Sequence, residues 1–207
     1  MSVIERIGQE KVIAIVRLDD LSSAVALSQA LLAGGVTIIE FTLTNPDAPR
    51  AIANVCDALG DAVLVGAGSV VDKAQVQTVA EHGAQFVVSP VTKHEVIDAC
   101  HQYNLPTMPG AYTPSEIQAA WELSVAAVKL FPARHLGATY IKDVLAPLPH
   151  LRLIPTGGIS VDNLGEYIKA GVFAVGIGGA LCDKQAIASK DWQSISSAAE
   201  ALVKALP

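Results

Sequence analysis

The feature that most constrains the fold of this chain is a strict alternation of short β-branched runs with amphipathic helical stretches. Such runs recur about every 20–25 residues, and the eight strands that they predict are 12–17, 36–42, 62–67, 84–89, 105–109, 125–131, 151–155 and 172–177. The runs are apolar on both faces, as in strands covered on both sides. Parallel strands that each lead into a helix can close into a barrel. We therefore predict the α/β class and a single (β/α)8 TIM barrel over residues 1–207, with a short N-terminal helix at residues 1–9 that plugs its bottom.

The main competing fold is a doubly wound open sheet, which commonly carries a glycine-rich turn after its first strand. The first predicted strand runs into VIAIVRLDD, at residues 12–20, and contains no glycine there. A chain of 207 residues with 51% hydrophobic side chains is long enough to build and fill a small barrel. A three-residue segment that ends in glycine recurs at Gly35, Gly83 and Gly171. We expect it to end helices rather than to mark a solenoid repeat.

Composition argues against several classes of function. The formal net charge is −6 and no basic run is present, which disfavours binding to nucleic acid or to a membrane surface. No apolar run reaches the roughly 18 residues of a membrane span, and the N-terminus does not resemble a signal peptide, so a cytoplasmic location is predicted. The three cysteines, Cys56, Cys100 and Cys182, are expected to be reduced thiols. The histidines show no metal-ligand spacing, so neither a metal nor any other cofactor is predicted.

Lys129 is the most informative polar residue, because it lies inside the apolar run AAVKLF. Side chains alternate across a strand, so Lys129 is expected to share a face with Ala127 and Val125, which leave room for a ligand. An amine in apolar surroundings loses its proton more readily, and the neutral amine is the nucleophile that forms Schiff bases. The alternative is a lysine that snorkels outward. Because catalysis in such barrels occurs at the carboxyl ends of strands, we predict that Lys129 is a catalytic residue that forms a Schiff base with a carbonyl substrate.

Two more charged residues are predicted at the same end of the barrel. Glu40 lies in VTIIEFT, on the same face of the strand as Ile38 and Thr42. Thr42 is predicted to contact the substrate. A carboxylate in an apolar strand is costly unless it is paired or functional, so Glu40 is predicted to relay protons. Arg17 ends the first strand, and its planar donor fork suits a carboxylate. An ion pair of Glu40 with Lys129 or Arg17 that serves stability alone is the alternative.

The remaining strands end in small, polar or proline residues: Ser69 after Gly66-Ala67-Gly68, then Pro90, Pro109 and Thr156. Glycines without side chains in the third strand would let a ligand approach the backbone closely, and Ser69 could donate a hydrogen bond to a carboxylate. Two further glycine pairs follow the last two strands, Gly157 and Gly158, and Gly178 and Gly179. Backbone amides of these two loops and a following helix N-terminus are predicted to bind the phosphate of a substrate.

Several motifs make the chain resemble the bacterial KHG/KDPG aldolases over nearly its whole length: IIEFTLTNPDA, GAGSV, VSPV, PTMPGAYTPSEI, VKLFPA, PTGGIS and AVGIGGAL. The resemblance implies cleavage of 2-keto-3-deoxy-6-phosphogluconate to pyruvate and glyceraldehyde 3-phosphate, and of 4-hydroxy-2-oxoglutarate to pyruvate and glyoxylate. It implies Lys129 as the Schiff-base lysine and Glu40 as the acid and base. It also implies a homotrimer and a pyruvate pocket that includes Arg17, Ser69, Pro90, Phe131 and Thr156.

Some positions depart from the pattern of that family. Thr44-Asn45 stands where some members carry an arginine, Ser69 replaces a commoner threonine, and Gly179 stands where a serine often contacts phosphate. The preference for phosphorylated substrates therefore stays open, as does the choice between the gluconate and galactonate isomers.

Two classes of protein outside that family would share the predicted phosphate loops. One is an isomerase or decarboxylase of phosphorylated sugars or indoles, which needs no lysine in an apolar strand. The second is a non-catalytic phosphosugar-binding barrel, which has no use for Glu40 and Lys129 together. The joint presence of these two residues therefore favours the aldolase.

Overall fold

A computed structural model describes residues 1–206, so that Pro207, the last residue of the expected domain, lies outside the described residues. All strand pairs are parallel. The strands are β1 (Val12–Val16), β2 (Ile38–Thr42), β3 (Leu64–Gly68), β4 (Val87–Val88), β5 (Thr107–Met108), β6 (Gly110–Ala111), β7 (Val128–Leu130), β8 (Leu153–Pro155) and β9 (Val175–Ile177). They lie in two sheets of order β5-β4-β3-β2-β1-β9 and β6-β7-β8.

The two sheets join into one closed barrel. β5 and β6 are the two halves of one barrel strand, separated only by Pro109, whose carbonyl accepts a hydrogen bond of 2.9 Å from the backbone of Lys129. On the other side, a bridge between Thr156 and Gly176 links β8 to β9. The predicted (β/α)8 barrel is thereby confirmed. Most strands are shorter than predicted. The fifth one extends beyond residues 105–109 to Ala111. Its ladder is only interrupted at Pro109, because proline has no N–H group to donate at its own position.

Helices alternate with the strands, and all but the first, α1, cover the outside of the barrel. Their bounds are α1 (Val3–Glu10), α2 (Ala24–Ala33), α3 (Ala48–Leu59), α4 (Lys73–Glu81), α5 (His94–Gln102), α6 (Pro114–Trp121), α7 (Gly137–Leu145), α8 (Val161–Lys169), α9 (Lys184–Ala188) and α10 (Trp192–Lys204). Two short 3-10 turns lie at Gly60–Ala62 and Ala133–His135. Within residues 1–206, no helix is both long and apolar enough to cross a membrane.

The repeated segment that ends in glycine follows helices, as predicted. Gly35, Gly83 and Gly171 follow α2, α4 and α8 and have φ angles of 88°, 85° and 91°. This left-handed backbone conformation is strained for residues with a β-carbon and is common just after a helix. The three glycines therefore turn the chain from a helix towards the next strand at the amino end of the barrel.

The barrel has two separate apolar regions. The larger one lies between the strands and the outer helices, and includes Val128 and Leu130. The smaller one fills the interior and brings together inward-facing residues of the strands: Ile13, Ile38, Leu64, Phe86, Val88, Met108, Ala127, Ile154 and Ala174. Ile7 of α1 is fully buried in the interior cluster, which confirms that the N-terminal helix plugs the barrel. Val125, which was expected on the interior face below Lys129, precedes β7 and packs in the outer region instead.

Candidate active site

The candidate site lies directly above the interior cluster, at the carboxyl end of the strands. Alternation along β2 and β7 places Glu40 one level above Ile38 and Lys129 one level above Ala127. The strand order separates β2 from β7 by three intervening barrel strands in one direction and three in the other. Glu40 and Lys129 therefore project into the same cavity from opposite walls.

Lys129 is enclosed by apolar groups. Lys129 is only 3% exposed. Its Nζ atom lies 5.0 Å from the centre of the Phe131 ring, which is a cation–π geometry. No residue in the described part of the chain forms a hydrogen bond or ion pair with Nζ. An amine that has no hydrogen-bond or ion-pair partner inside a barrel is available as a nucleophile, because it needs only to lose its proton to have a free lone pair.

Glu40 is buried without a partner. The residue is 2% exposed, and its Oε1 atom has no hydrogen-bond partner among the residues that the structure describes. No ion pair joins Glu40 to Lys129 or to Arg17 among residues 1–206, so the structure lacks a pair of these groups that would serve stability alone. Leaving a buried carboxylate unpaired costs free energy. The arrangement is typical of a group that exchanges protons with a ligand.

A polar rim extends from Glu40 towards the first strand. The Thr42 hydroxyl donates to the carbonyl of Val16 over 3.3 Å and shares a 2.9 Å hydrogen bond with the hydroxyl of Thr44. Arg17 directly follows Val16 and is exposed, with no ion pair in the described chain. Its guanidinium is therefore free to bind an anion at the mouth of the barrel.

Asn45 holds this rim together, a role that sequence analysis did not identify. It is 7% exposed, and its Nδ2 donates to the carbonyls of Leu18 and Asp19 over 3.0 Å each, while its Oδ1 accepts from the backbone of Asp47. The side chain thus fastens the loop after Arg17 to the loop after β2. The available signal was an asparagine just past a strand end, a common position for side chains that cap loops.

The other predicted substrate-binding residues lie around the same mouth. Ser69 is half-buried and has a φ of 60°, which turns the chain sharply at the end of β3. Pro90 is half-buried, and its carbonyl packs against Gly110. Thr156 is buried one level above Ile154, with its side chain against Gly176. Phe131, also half-buried, supplies the ring beside Lys129.

Two glycines that were expected to open the backbone to a ligand have another use. The space that a side chain would occupy at Gly66 is filled by the ring of Phe86, and the space at Gly68 is filled by the carboxylate of Glu40. Gly176 likewise makes room for Thr156. These glycines position protein side chains in the cavity, rather than a ligand against the backbone.

The predicted phosphate loops lie side by side at the far rim. Gly157 and Gly158 have φ angles of 103° and 79° and precede α8, while Gly178 and Gly179 follow β9. The backbone N–H groups of Gly158 and Gly179 donate to no other group within residues 1–206. Free amides near a helix N-terminus are suited to binding an anion.

The cysteines are poor candidates for nucleophiles. Burial raises the pKa of the Cys182 thiol to about 12 and that of Cys100 to about 11, and it also raises the pKa of Cys56. All three are free thiols, and a protonated thiol is a weak nucleophile. Among the described residues, no group of three or more histidine, cysteine, aspartate or glutamate side chains could hold a metal ion.

Comparison with known proteins supports an aldolase. The family described as "Aldolase: KDPG and KHG aldolase" matches residues 3–198. The 2-dehydro-3-deoxy-phosphogluconate aldolase of Treponema pallidum (strain Nichols) is 37% identical over 199 residues, 95% of this chain and 94% of that protein. The 2-dehydro-3-deoxy-6-phosphogalactonate aldolase of Escherichia coli (strain K12) is 35% identical over 167 residues, 80% of this chain and 82% of that protein.

A solved structure shows the same fold. The KDPG aldolase from Legionella pneumophila, with pyruvate captured at low pH as a covalent carbinolamine intermediate, is 30% identical. It aligns with a TM-score of 0.88 over 95% of each chain. Family match, sequence identity and fold agree, and this chain is an aldolase that belongs to the KDPG and KHG aldolase family.

Proposed function

We propose that the protein is a class I aldolase in which Lys129 forms a Schiff base with a 2-oxo acid. The observation that carries the proposal is the pair of buried, unpartnered groups on opposite walls of one cavity, the amine of Lys129 and the carboxylate of Glu40. An amine supplies the nucleophile, and a carboxylate within the same cavity supplies and removes protons. A barrel that only bound a phosphosugar would gain nothing from burying both groups.

The proposed reaction starts when Nζ of Lys129 attacks the C2 carbonyl carbon of the substrate. The resulting carbinolamine loses water, with the proton donated by Glu40, and becomes an iminium ion. Glu40, now a carboxylate, removes the proton of the C4 hydroxyl, the C3–C4 bond breaks, and its electron pair flows into the iminium to give an enamine while the aldehyde departs. Protonation of the enamine at C3 and hydrolysis of the imine release pyruvate and restore Lys129.

The binding residues divide between the two ends of the substrate. Arg17 and Ser69 offer hydrogen-bond donors for the carboxylate of the 2-oxo acid, with Thr42 beside them and Thr156 on the opposite rim. Pro90 and Phe131 supply apolar walls. Gly157, Gly158, Gly178 and Gly179 offer backbone amides for a phosphate at the far end of a longer substrate.

We propose 2-keto-3-deoxy-6-phosphogluconate as the substrate, with 4-hydroxy-2-oxoglutarate as a second one. The Treponema pallidum relative, covered over 94% of its length, supports the gluconate series. The relative that acts on the galactonate isomer, at 35% identity, supports that isomer as the second candidate. Parallel turnover assays with both phosphorylated isomers and with 4-hydroxy-2-oxoglutarate decide between them, since the largest kcat/KM identifies the preferred substrate.

Borohydride reduction in the presence of pyruvate tests the mechanism. We expect a pyruvate-derived adduct on Lys129, found by intact mass and peptide mapping, and its loss in Lys129→Ala. The variant Lys169→Ala, which removes an exposed lysine in the last turn of α8, is the matched control and should trap pyruvate normally. An adduct on another lysine, or none, would refute the Schiff base at Lys129. Inhibition by EDTA would contradict the metal-independent mechanism.

The assembly state and location are further predictions. We propose a homotrimer, supported by the family resemblance and by two exposed apolar side chains in rim loops, Val91 (45% exposed) after β4 and Tyr112 (38%) after β6. Light scattering should give about three times the chain mass of 21.5 kDa. A monomeric mass would contradict the trimer. The cytoplasmic location stays a prediction from the sequence.

A further inference from the structure

The predicted phosphate loops contain no positively charged side chain of their own. Residues 156–160 and 176–182 include neither lysine nor arginine. Backbone amides alone can bind a phosphate, but a dianion bound in a protein of net charge −6 gains much from a nearby cation. A cation from the surrounding structure is therefore expected to reach these loops.

Arg134 lies directly against the first of them. It is the middle residue of the 3-10 turn Ala133–His135 that follows β7. A β-carbon built on Gly158 would lie 3.2 Å from Cα, Cβ and Cγ of Arg134, so the stem of the arginine packs on the Gly158 backbone. The contact is anchored, because the backbone N–H of Ala133 donates to the carbonyl of Thr156 over 3.0 Å.

The Gly158 side of this contact is also fixed. The Gly158 carbonyl accepts a 2.9 Å hydrogen bond from Nδ2 of Asn163, and Oδ1 of Asn163 accepts from the backbone of Ser160. Both bonds tie the glycine loop to the first turn of α8. The arginine stem therefore meets a loop held in one conformation, which is the condition for a defined binding geometry.

The Arg134 side chain is exposed and forms no hydrogen bond or ion pair within residues 1–206. Asp162, the acidic residue in the first turn of α8, accepts a hydrogen bond from the Ser160 hydroxyl and forms no ion pair with Arg134. A guanidinium that is neither neutralised nor buried retains its full charge, and its fork can bind two phosphate oxygens at once. Nothing in the fold requires this charge.

We infer that Arg134 binds the phosphate group of the substrate together with the amides of the glycine loops, and so selects phosphorylated over unphosphorylated 2-oxo acids. This inference rests on the proposed aldolase function and adds a specificity residue to it. Arg134 could not be predicted from the sequence, because a single arginine in a loop has no local signature. Gly158, which it contacts in the loop after the adjacent strand, is 24 residues away along the chain.

The test is Arg134→Gln, with Lys169→Gln as a control that removes one positive charge from the exposed last turn of α8. A charge-assisted hydrogen bond contributes about 1.5–3 kcal/mol, which corresponds to roughly 10- to 100-fold in affinity. We expect Arg134→Gln to raise KM for the phosphorylated substrate by about that factor and to lower its kcat/KM relative to that of 4-hydroxy-2-oxoglutarate. Arg134→Lys should restore part of the loss, and the control should behave as the wild type.

A second measurement separates this inference from the proposed mechanism. Inorganic phosphate should bind the wild-type protein, measured by calorimetry, and bind about 10-fold or more weakly to Arg134→Gln. Equal phosphate affinity in both proteins, or an unchanged preference between the two substrates, would overturn the role of Arg134. Pyruvate trapping on Lys129 in the wild type would then still support the Schiff base, whereas its absence would refute the aldolase mechanism whatever the phosphate result.

Discussion

The carboxylate of Glu40 lies against the α-carbon of Gly68 on the neighbouring strand, in the space that a side chain at Gly68 would fill. Replacing this glycine with alanine would push the carboxylate out of place. We expect Gly68→Ala to reduce kcat by about 10-fold or more, as loss of an aligned proton-transfer group does, and to destabilise the fold by about 1–3 kcal/mol through overpacking. Steady-state turnover and chemical denaturation measure the two effects.

Gly165→Ala is the control for that substitution. A β-carbon at Gly165, within α8, would meet nothing within 4 Å. Alanine favours a helix over glycine by about 1 kcal/mol, so this variant should be as active as the wild type and slightly more stable. Normal activity of Gly68→Ala would show that the carboxylate does not need its present position.

Glu40→Gln should separate Schiff-base formation from turnover. The amide keeps the size of the side chain but cannot act as an acid or base, so we expect turnover to fall by about 10²–10⁴-fold. Borohydride trapping of pyruvate on Lys129 should largely persist in a long incubation, although it should proceed more slowly, because Lys129 is the nucleophile and Glu40 only speeds the loss of water. Full turnover in Glu40→Gln would exclude this carboxylate as the proton relay.

Asn45→Ala should loosen the loop that carries Arg17. The substitution leaves the carbonyls of Leu18 and Asp19 without their donor, and we expect a loss of about 1–3 kcal/mol of stability. KM should increase more than kcat decreases, since the loop positions a binding residue rather than the nucleophile. Asn54→Ala, on the exposed face of α3, is the control. A decrease confined to kcat would argue against this positioning role.

Glu116 should make stability depend on pH. Hydrogen bonds from the backbone N–H of Thr113, then of Tyr112, hold the pKa of its carboxyl below the usual 4.5. A carboxyl whose pKa is lower in the folded state contributes stability above pH 4.5, and this contribution disappears as the pH falls through the folded-state pKa. Glu116→Gln should therefore destabilise the protein at pH 7 more than at pH 3. Denaturation curves at both values test this, and an equal effect would contradict it.

Sequence periodicity was enough to predict the barrel because each strand and helix carries its own local pattern. The same pattern placed Lys129 over Ala127 correctly, since alternation within β7 is a local property. It misplaced Val125, which precedes the strand and so does not follow the alternation. It also gave the fifth strand the wrong end, because a proline can interrupt a ladder without ending it.

Contacts between distant segments could not be predicted in this way. Glycines of β3 are equally compatible with a close ligand and with a neighbouring side chain, and only the packed structure shows Glu40 and Phe86 in those spaces. The clamp of Asn45 and the contact of Arg134 with Gly158 likewise join loops that are brought together only by closing the barrel. The position of Asn45 just past a strand end indicates a loop-capping side chain, but the partners of such contacts depend on tertiary structure and carry no signal in the local sequence.

The N-terminal helix gives the barrel a single opening, and this has a consequence for the order of events. Lys129 and Glu40 are buried just above the interior cluster that this helix closes, so both halves of the substrate must pass through the mouth at the carboxyl end of the strands. Under the proposed mechanism the aldehyde forms when the C3–C4 bond breaks, while pyruvate is still bound to Lys129, so the aldehyde leaves through this mouth first and pyruvate leaves last. In the reverse direction pyruvate must enter first, and one mouth would serve both compounds in a compulsory order.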